Sequence, residues 1–558
     1  MHAESVEVRG VGLIQSLCIA ALLMVVVLPV SFVVLQAIFP HLPEGSLRAP
    51  FSAIARTFGE QHLAQLLGNT VVLGLSVSLA SLLLALPLAV LRGTRRLPGA
   101  KYWDLLFLIP FMIPPYIGAF SWVLSLQDNG YARQLFGWSA EGLLFSFPGI
   151  VLVMSLHLFP LVYFALSRSL MLIGKRFADA GKVCGASAFS SFLRITLPLS
   201  LPGMLASLLL VFALTVEEYG TPATLGKRSG FLVLVTSIEE KFAEWPIDLP
   251  GAALLSLALV ALVLLAFWLQ HYIVTRRSFI TVAGKQRDEA APELGRMRWP
   301  ALGLFASVTL LATGIPIGAT LACAFSRTLS GGLAWDNFGL RHFIAVFENR
   351  NGALDALFNS LWLAAATAII AGILGALTAY VSARTRLRGR SLLDAFSALP
   401  NALPGMVVAV GMILAWNRSW WPVPIYNTPV VLLLAYICLM LPYPVRYVGA
   451  GLRQISQSLD AAARVCGATS GRVLWRILLP LIAPNLFISM LLVFAVASRE
   501  LVASVMLAPT GMPTVATFVF NQFAQGSPGV GMALSVIAIF SSTAILVTVR
   551  QLFKHDEL

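Results

Sequence analysis

Stretches of about 20 apolar residues, separated by short polar segments, recur along the whole chain, and about 20 residues is what an α-helix needs to cross a bilayer core of roughly 30 Å. Twelve spans are predicted, near residues 12–37, 68–91, 103–126, 144–168, 198–216, 250–274, 300–325, 358–381, 392–416, 429–450, 482–500 and 528–549. The expected fold is an all-α polytopic membrane protein, and twelve spans put both termini on one side. The first run lacks a small-residue cleavage site and is read as a retained span rather than a signal peptide. Pro110, Pro114 and Pro115 interrupt one span, and Pro400 and Pro404 interrupt another. Proline removes a backbone donor and bends a helix, so these spans are expected to kink, either for packing or to shape a pathway.

The pattern is written twice. Residues 179–202 (DAGKVCGASAFSSFLRITLPLSLP) overlay 461–484 (AAARVCGATSGRVLWRILLPLIAP) at a separation of 282, with identities from Ala180/Ala462 through Gly185/Gly467, Arg194/Arg476 and Pro198/Pro480 to Pro202/Pro484. At a separation of 290, Asn69/Asn359, Asp104/Asp394, Pro110/Pro400 and Pro114/Pro404 also correspond. Self-similarity at a fixed period marks a duplicated architecture. The chain therefore divides into a first half of six spans (1–274), a polar cytoplasmic linker (275–298) and a second half of six spans (299–558). Each central repeat reads as two short helices joined at a glycine, since glycine takes backbone angles closed to other residues, followed by a proline suited to opening a new helix.

Composition agrees, with 58% hydrophobic and 11% charged residues against roughly 45–50% and about 25% in soluble domains. The net charge of +13 could suggest nucleic acid, but its distribution speaks for orientation. Of the 38 Lys and Arg residues, all but 11 fall in the termini, the two repeated loops, the linker and the other loops of one side. That excess marks the cytoplasmic face, so both termini and both repeats are expected there, and no nucleic-acid partner is. Cys18, Cys323 and Cys438 fall inside spans and Cys184 and Cys466 in cytoplasmic loops, where thiols stay reduced; no spacing resembles a metal site. No triad or acid–base constellation is visible, so no catalytic residue is assigned. Each Gly-Lys pair lacks the Ser/Thr and upstream Gly of a phosphate-binding loop, so ATP hydrolysis is not expected of this chain.

The first repeat, with Asp179, Ala180, Gly181, Gly185, Ile195, Leu197 and Pro198, resembles the EAA loop of type I ABC importer permeases, and the resemblance extends over nearly the whole chain as two permease halves fused in one. The resemblance implies that residues 179–202 and 461–484 form coupling helices for a separate ATPase dimer that binds ATP and Mg. On this reading Asp179, Ala180, Gly181, Gly185, Arg194 and Pro198, and Asp460, Ala462, Gly467, Arg476 and Pro480, contact or shape that interface. The second copy departs from the pattern, because Ala461 stands where the acid belongs and Asp460 lies one residue early; the halves are therefore expected to dock unequally. A substrate-binding protein at the outer face and a bacterial inner-membrane location are also implied. The rival class is a gradient-driven carrier built from repeats, which has no evident use for two Gly-centred cytoplasmic helix pairs.

Residues 212–226 align at 282 with 494–508, placing Glu218 opposite Glu500 and Glu217 opposite Arg499. A charge at bilayer depth costs at least ~2.5 kcal/mol and usually faces a cavity or partner. Glu217, Glu218, Tyr219, Arg499 and Glu500 are thus candidates for the translocation pathway; alternatively the two glutamates are solvated loop acids. The EEYGTPATLG and ELVASVMLAPTG stretches and the fused layout resemble the ferric-iron importer group, with thiamine, aminoalkylphosphonate and polyamine permeases similar by pattern. Ferric iron, a hard cation, favours oxygen ligands, which these acids could offer; a polyamine would also welcome glutamates.

Overall fold

The computed structural model describes residues 13–54, 57, 63–173, 181, 183–276, 292–385 and 389–554. It is all-α, with no β-strand among the described residues. Among those residues nine helices are long and apolar enough to cross a membrane: α1 (Leu13–Ile38), α2 (Leu63–Thr94), α5 (Phe147–Ile173), α6 (Phe189–Glu217), α7 (Leu249–Arg276), α8 (Gly295–Phe325), α9 (Ala353–Arg384), α15 (Gly471–Ala497) and α17 (Pro528–Lys554). The other three predicted spans are broken pairs. Helices α3 (Ala100–Met112) and α4 (Pro115–Leu126) belong to a pair bent by 95°, and α10 (Arg390–Ala398) and α11 (Gly405–Trp416) to one bent by 115°. The milder pair, α12 (Pro429–Met440) and α13 (Pro442–Gln454), bends by 41°. Counting each pair as one span gives up to twelve.

The breaks lie where the prolines predict bends, but they are far sharper than packing kinks. At Pro114 and Pro404 the backbone leaves the helical region (ψ 135° and 144°), and a new helix starts at the next residue. Such a break releases carbonyls that membrane lipid cannot satisfy. Beside the first break lies a cavity of about 20 Å³, lined by Pro110, Ile113, Pro115, His157, Thr221 and Pro316 among others. That is room for a single water.

Packing divides the chain into two compact units that are not its contiguous halves: one holds residues 62–237 and 261–340, the other 1–61, 238–260 and 341–558. The sequence division at 1–274, 275–298 and 299–558 describes the repeat, whereas the packing units interleave, each taking its leading helix from the other half. In the first unit α8 lies along α3 and α4, where Ser121 and Thr320 share a hydrogen bond of 2.8 Å and Phe305 stacks on Phe107 at 5.3 Å. In the second, α1 lies along α11, and Cys18, Leu22, Val25 and Val26 join Val408, Met412 and Trp416 in one core cluster. The burial pattern explains the exchange. Every residue of α11 from Met406 to Trp416 is buried, so this short helix needs apolar cover on all sides.

The repeat also survives in detail. The Asn69 amide donates to the Leu232 carbonyl at 2.9 Å, and the Asn359 amide donates to Pro513 at the same distance. One residue later, the Thr70 and Ser360 hydroxyls accept the N–H groups of Leu234 (3.0 Å) and Val515 (2.8 Å). Each half thus uses two adjacent polar residues, at the start of a long apolar helix, to fasten the loop before its last helices.

The closeness of α1 and α11 is testable. A Cβ at Gly411 would lie 2.7 Å from the Pro29 carbonyl oxygen, whereas one at Gly303 on α8 meets nothing within 4 Å. Gly411→Ala is expected to destabilise the protein by about 1–3 kcal/mol through overpacking. Gly303→Ala is expected to be neutral or stabilising by up to about 1 kcal/mol. Thermal unfolding of both variants in detergent checks the contrast.

Candidate functional site: the two repeated loops

The second repeat is described throughout its backbone. Helix α14 (Gln457–Val465) begins at Ser456, whose hydroxyl accepts the Ser458 N–H, and ends in a left-handed Gly467 (φ 78°). There the Ala468 N–H reaches back to the Ala463 carbonyl (3.0 Å) and the Gly467 N–H to Arg464 (2.9 Å). These two bonds make a Schellman motif, which closes a helix end by satisfying carbonyls left without an intrahelical partner. The first repeat repeats the turn: Gly185 has φ 83°, and the Ala186 N–H donates to the Gly181 carbonyl at 2.9 Å. A Cβ on Gly181 would come within 2.8 Å of the Ser191 hydroxyl and 2.9 Å of Ile195. A small residue is needed there because the two arms of the loop touch, and the second copy places Ala463 at that point. Asp179 and Ala180 lie outside the described residues.

The prolines behave differently from the sequence expectation. Pro198 and Pro480 do not open new helices; each sits inside one continuous helix, α6 or α15, just after a π-helical turn at Phe192–Thr196 or Leu474–Leu478. A proline lacks the N–H for the carbonyl four residues back and clashes with it. Here those carbonyls belong to Arg194 and Arg476, and the widened turn accommodates them. Both arginines are exposed.

The tips of the loops are apolar and open. Val183 and Val465, equivalent in the repeat, are each 88% exposed, and Cys184 and Cys466 beside them are exposed free thiols. Phe189 (72%) and Trp475 (69%) extend the apolar surface on the second arms. Exposed apolar residues that cluster at a polar end of a protein mark an interaction site.

The displaced acid of the second copy has a specific position. Ala461 and Ala462 are exposed, whereas the Asp460 carboxylate turns inward to the guanidinium of Arg384, at the end of α9, at 3.2 Å. Arg384 also donates to the carbonyls of Leu452 (2.6 Å) and Ile455 (2.7 Å), at the C-terminus of α13. Sequence reasoning missed Arg384; its only signal was a cation ending an apolar span. It also missed a different cluster in the first half, where Arg92 pairs with Asp104 at 2.9 Å and the Tyr163 hydroxyl donates to Asp104 at 2.7 Å. At the equivalent place in the second half the Ser382 hydroxyl donates to Asp394.

Of the pathway candidates, Glu217, Glu218 and Tyr219 belong to one packing unit and Arg499 and Glu500 to the other. Glu217 is the last residue of α6, and Tyr219 is fully buried. The two glutamates also have a local role that neither alternative read from sequence named. The Glu218 carboxylate accepts the Thr221 N–H (3.0 Å and 3.1 Å), and that of Glu500 accepts the Ala503 N–H at 3.2 Å. Each caps the start of the next helical segment, which for Glu500 is α16 (Val502–Leu507). Burial pushes the Glu218 carboxyl up to about 7, against the pull of the Thr221 donors. Burial raises the Glu500 carboxyl as well, opposed by the N–H groups of Ala503 and Val502 and by the charge of Arg499. No group of three or more metal-ligating side chains converges among the described residues.

A raised carboxyl binds its proton more tightly in the folded state, so Glu218 costs stability as pH rises from about 4.5 through about 7. Glu218→Gln, which keeps an acceptor for Thr221, is therefore expected to raise the melting temperature at pH 8 and to leave it nearly unchanged at pH 4.5, read by thermal unfolding in detergent. A Cβ added at Gly467 would meet nothing within 4 Å, so a substitution there encounters only backbone strain. Gly467→Val is expected to cost about 1–3 kcal/mol and Gly467→Asn less, read as faster proteolytic cleavage at residues 464–470.

The sequence profile of the binding-protein-dependent transport system inner membrane component matches residues 78–279 and 368–554, one copy in each half. The ferric transport system permease protein FbpB of Actinobacillus pleuropneumoniae is 26% identical over 541 residues, which cover 95% of this chain and 77% of that protein. The molybdenum transport system permease protein ModB of Haemophilus influenzae is 35% identical over 161 residues, 28% of this chain and 70% of that protein. A putative 2-aminoethylphosphonate transport system permease protein, PhnV of Salmonella typhi, is 25% identical over 256 residues, 46% of this chain and 95% of its own length. With two profile matches that together span most of its length, the chain belongs to the family of binding-protein-dependent transport system inner membrane components.

Proposed function

We propose that this protein is the membrane-spanning subunit of an ATP-driven importer for ferric iron, receiving its cargo from a binding protein at the outer face. The observation that carries this reading is the pair of equivalent, apolar, 88% exposed tips at Val183 and Val465. Each is held by the same left-handed glycine turn, which leads into a second arm that runs unbroken into a transmembrane helix. Such a tip can dock in a cleft of an ATPase subunit, and the unbroken helix can carry its displacement into the membrane. The ATPase dimer would bind ATP and Mg; this chain is non-catalytic. Asp179, Ala180, Gly181, Gly185, Arg194 and Pro198 would serve the first docking loop, and Asp460, Ala462, Gly467, Arg476 and Pro480 the second. The charge distribution supports cytoplasmic termini and docking loops.

The cargo rests on length. The relative named for ferric transport aligns with nearly the whole fused chain, whereas those named for molybdenum and 2-aminoethylphosphonate align with a quarter to a half of it. Glu217, Glu218, Tyr219, Arg499 and Glu500 are proposed to line the passage at the outer ends of α6 and α15, the helices that the docking loops would move.

Reconstitution in liposomes tests the reading. With its ATPase and a binding protein loaded with ferric ion, the chain is expected to accumulate radioactive iron only when ATP is supplied on the cytoplasmic side, and alone it is expected neither to hydrolyse ATP nor to take up iron. Uptake by the chain alone on a proton or sodium gradient would overturn the importer class. ATP-driven uptake of molybdate or 2-aminoethylphosphonate with no uptake of iron would overturn the cargo.

A further inference from the structure

We infer that Arg384 is a positioning residue for coupling: it fixes the second docking loop to the long helix α9, so that α14 and α9 move as one body, while the first half carries no charged residue at either equivalent position. The inference rests on the proposed docking role of the loops. Its observations lie within one packing unit. The Arg384 side chain is 4% exposed and that of Asp460 is 19% exposed. The guanidinium is spent on three partners from two elements: the Asp460 carboxylate in the first turn of α14, and the Leu452 and Ile455 carbonyls that end α13. A cation at a helix C-terminus satisfies carbonyls that have no intrahelical donor and opposes the negative end of the helix dipole. An acid near a helix N-terminus meets the positive end. One buried cation therefore clamps the end of one helix to the beginning of the next, across the Ile455–Ser456 joint where the loop would otherwise hinge. Breaking such a pair from one side leaves a buried charge uncompensated, which makes the clamp strong in one arrangement and intolerant of others.

The repeat supplies the contrast. The residue equivalent to Arg384 is Thr94, and the residue equivalent to Asp460 is Ala178. The Thr94 hydroxyl donates within its own helix, to the Val90 carbonyl at 2.7 Å. The first half has no charge at either place with which to build the clamp, and Arg92, two residues earlier on α2 and half-buried, is instead paired with Asp104 on α3. This accounts for the one-residue displacement of the acid in the second loop. A shift of one residue turns a side chain by about 100° around a helix, from the exposed face that holds Ala461 to the inward face that meets Arg384. The acid of the second copy serves the chain itself, and the two loops pass motion to the membrane by different routes.

Spin labels test this directly. Leu83 and Ile373 are equivalent, exposed positions on α2 and α9, as Val183 and Val465 are on the two loop tips. In an otherwise cysteine-free chain assembled with its ATPase, labels at 373 and 465 are expected to give one narrow distance distribution that is the same without nucleotide and with bound ATP. Labels at 83 and 183 are expected to give a broader one that shifts with ATP. Arg384→Ala is expected to broaden the 373–465 distribution at least twofold, and Arg384→Lys, which keeps the charge pair, to restore part of the width. Asp460→Asn, which preserves the carbonyl contacts and the fold, is expected to broaden it less than Arg384→Ala. A 373–465 distance that moves with ATP as much as the 83–183 distance, or that stays narrow in both Arg384→Ala and Asp460→Asn, would overturn the inference. If the wild-type chain fails to bind any ATPase, the proposed function falls, while the nucleotide-free comparison of wild type with the two variants still decides the clamp.

Discussion

In hydrocarbon every backbone N–H and C=O must find its partner inside the protein, and this chain breaks two of its spans almost at right angles. The breaks at Pro114 and Pro404 are tolerable only where other helices surround them. That requirement explains the most unexpected feature of the packing, the exchange of leading helices. Helix α11 is buried along its whole length, and α1, from the far end of the sequence, closes over it so tightly that Gly411 meets the Pro29 backbone. Helix α8 does the same for α4, with the Ser121–Thr320 hydrogen bond between two otherwise apolar surfaces. Duplication thus produced two sequence halves in which neither leading helix serves its own half.

The repeated loops obey a second constraint, the geometry of helix ends. A Gly at positive φ closes the first arm, and a π turn before a proline opens into the transmembrane helix without interrupting it. The tip is thereby held by a closed turn beside the start of a continuous helix, while its valine stays exposed. A flexible loop carrying the same residues would absorb a push from outside; a closed turn on an unbroken helix transmits it. The half-buried glutamates at the other ends of these helices cap the next segments, so that a displacement of α6 or α15 would reach them through direct hydrogen bonds.

Much of this was legible in the residues. Apolar runs gave the helices, the Pro positions gave the breaks, and Gly185 and Gly467 gave the turns, because each follows from local covalent geometry or from period. The exchange of α1 and α8 was not legible, since two apolar helices of similar composition fit either neighbour until shape decides. The sharpness of the breaks was hidden for a related reason: a proline permits a bend, and its angle is set by what packs around it. The role of Arg384 was hidden by distance, because its partners lie 68 to 76 residues along the chain and no pattern within a helix points to them. Asp460 was visible as an oddity one residue out of place, and only its neighbour explained it.

Transport by this mechanism depends on the two loop tips being the surface through which an ATPase acts. A photoreactive amino acid placed at Val183 or at Val465, in membranes that contain the whole transport system, measures this most directly. Both positions are expected to crosslink to the ATPase subunit in high yield, while the same probe at the exposed mid-helix positions Leu83 or Ile373 does not. Crosslinks from both tips to lipid alone, or to no protein, would contradict the account.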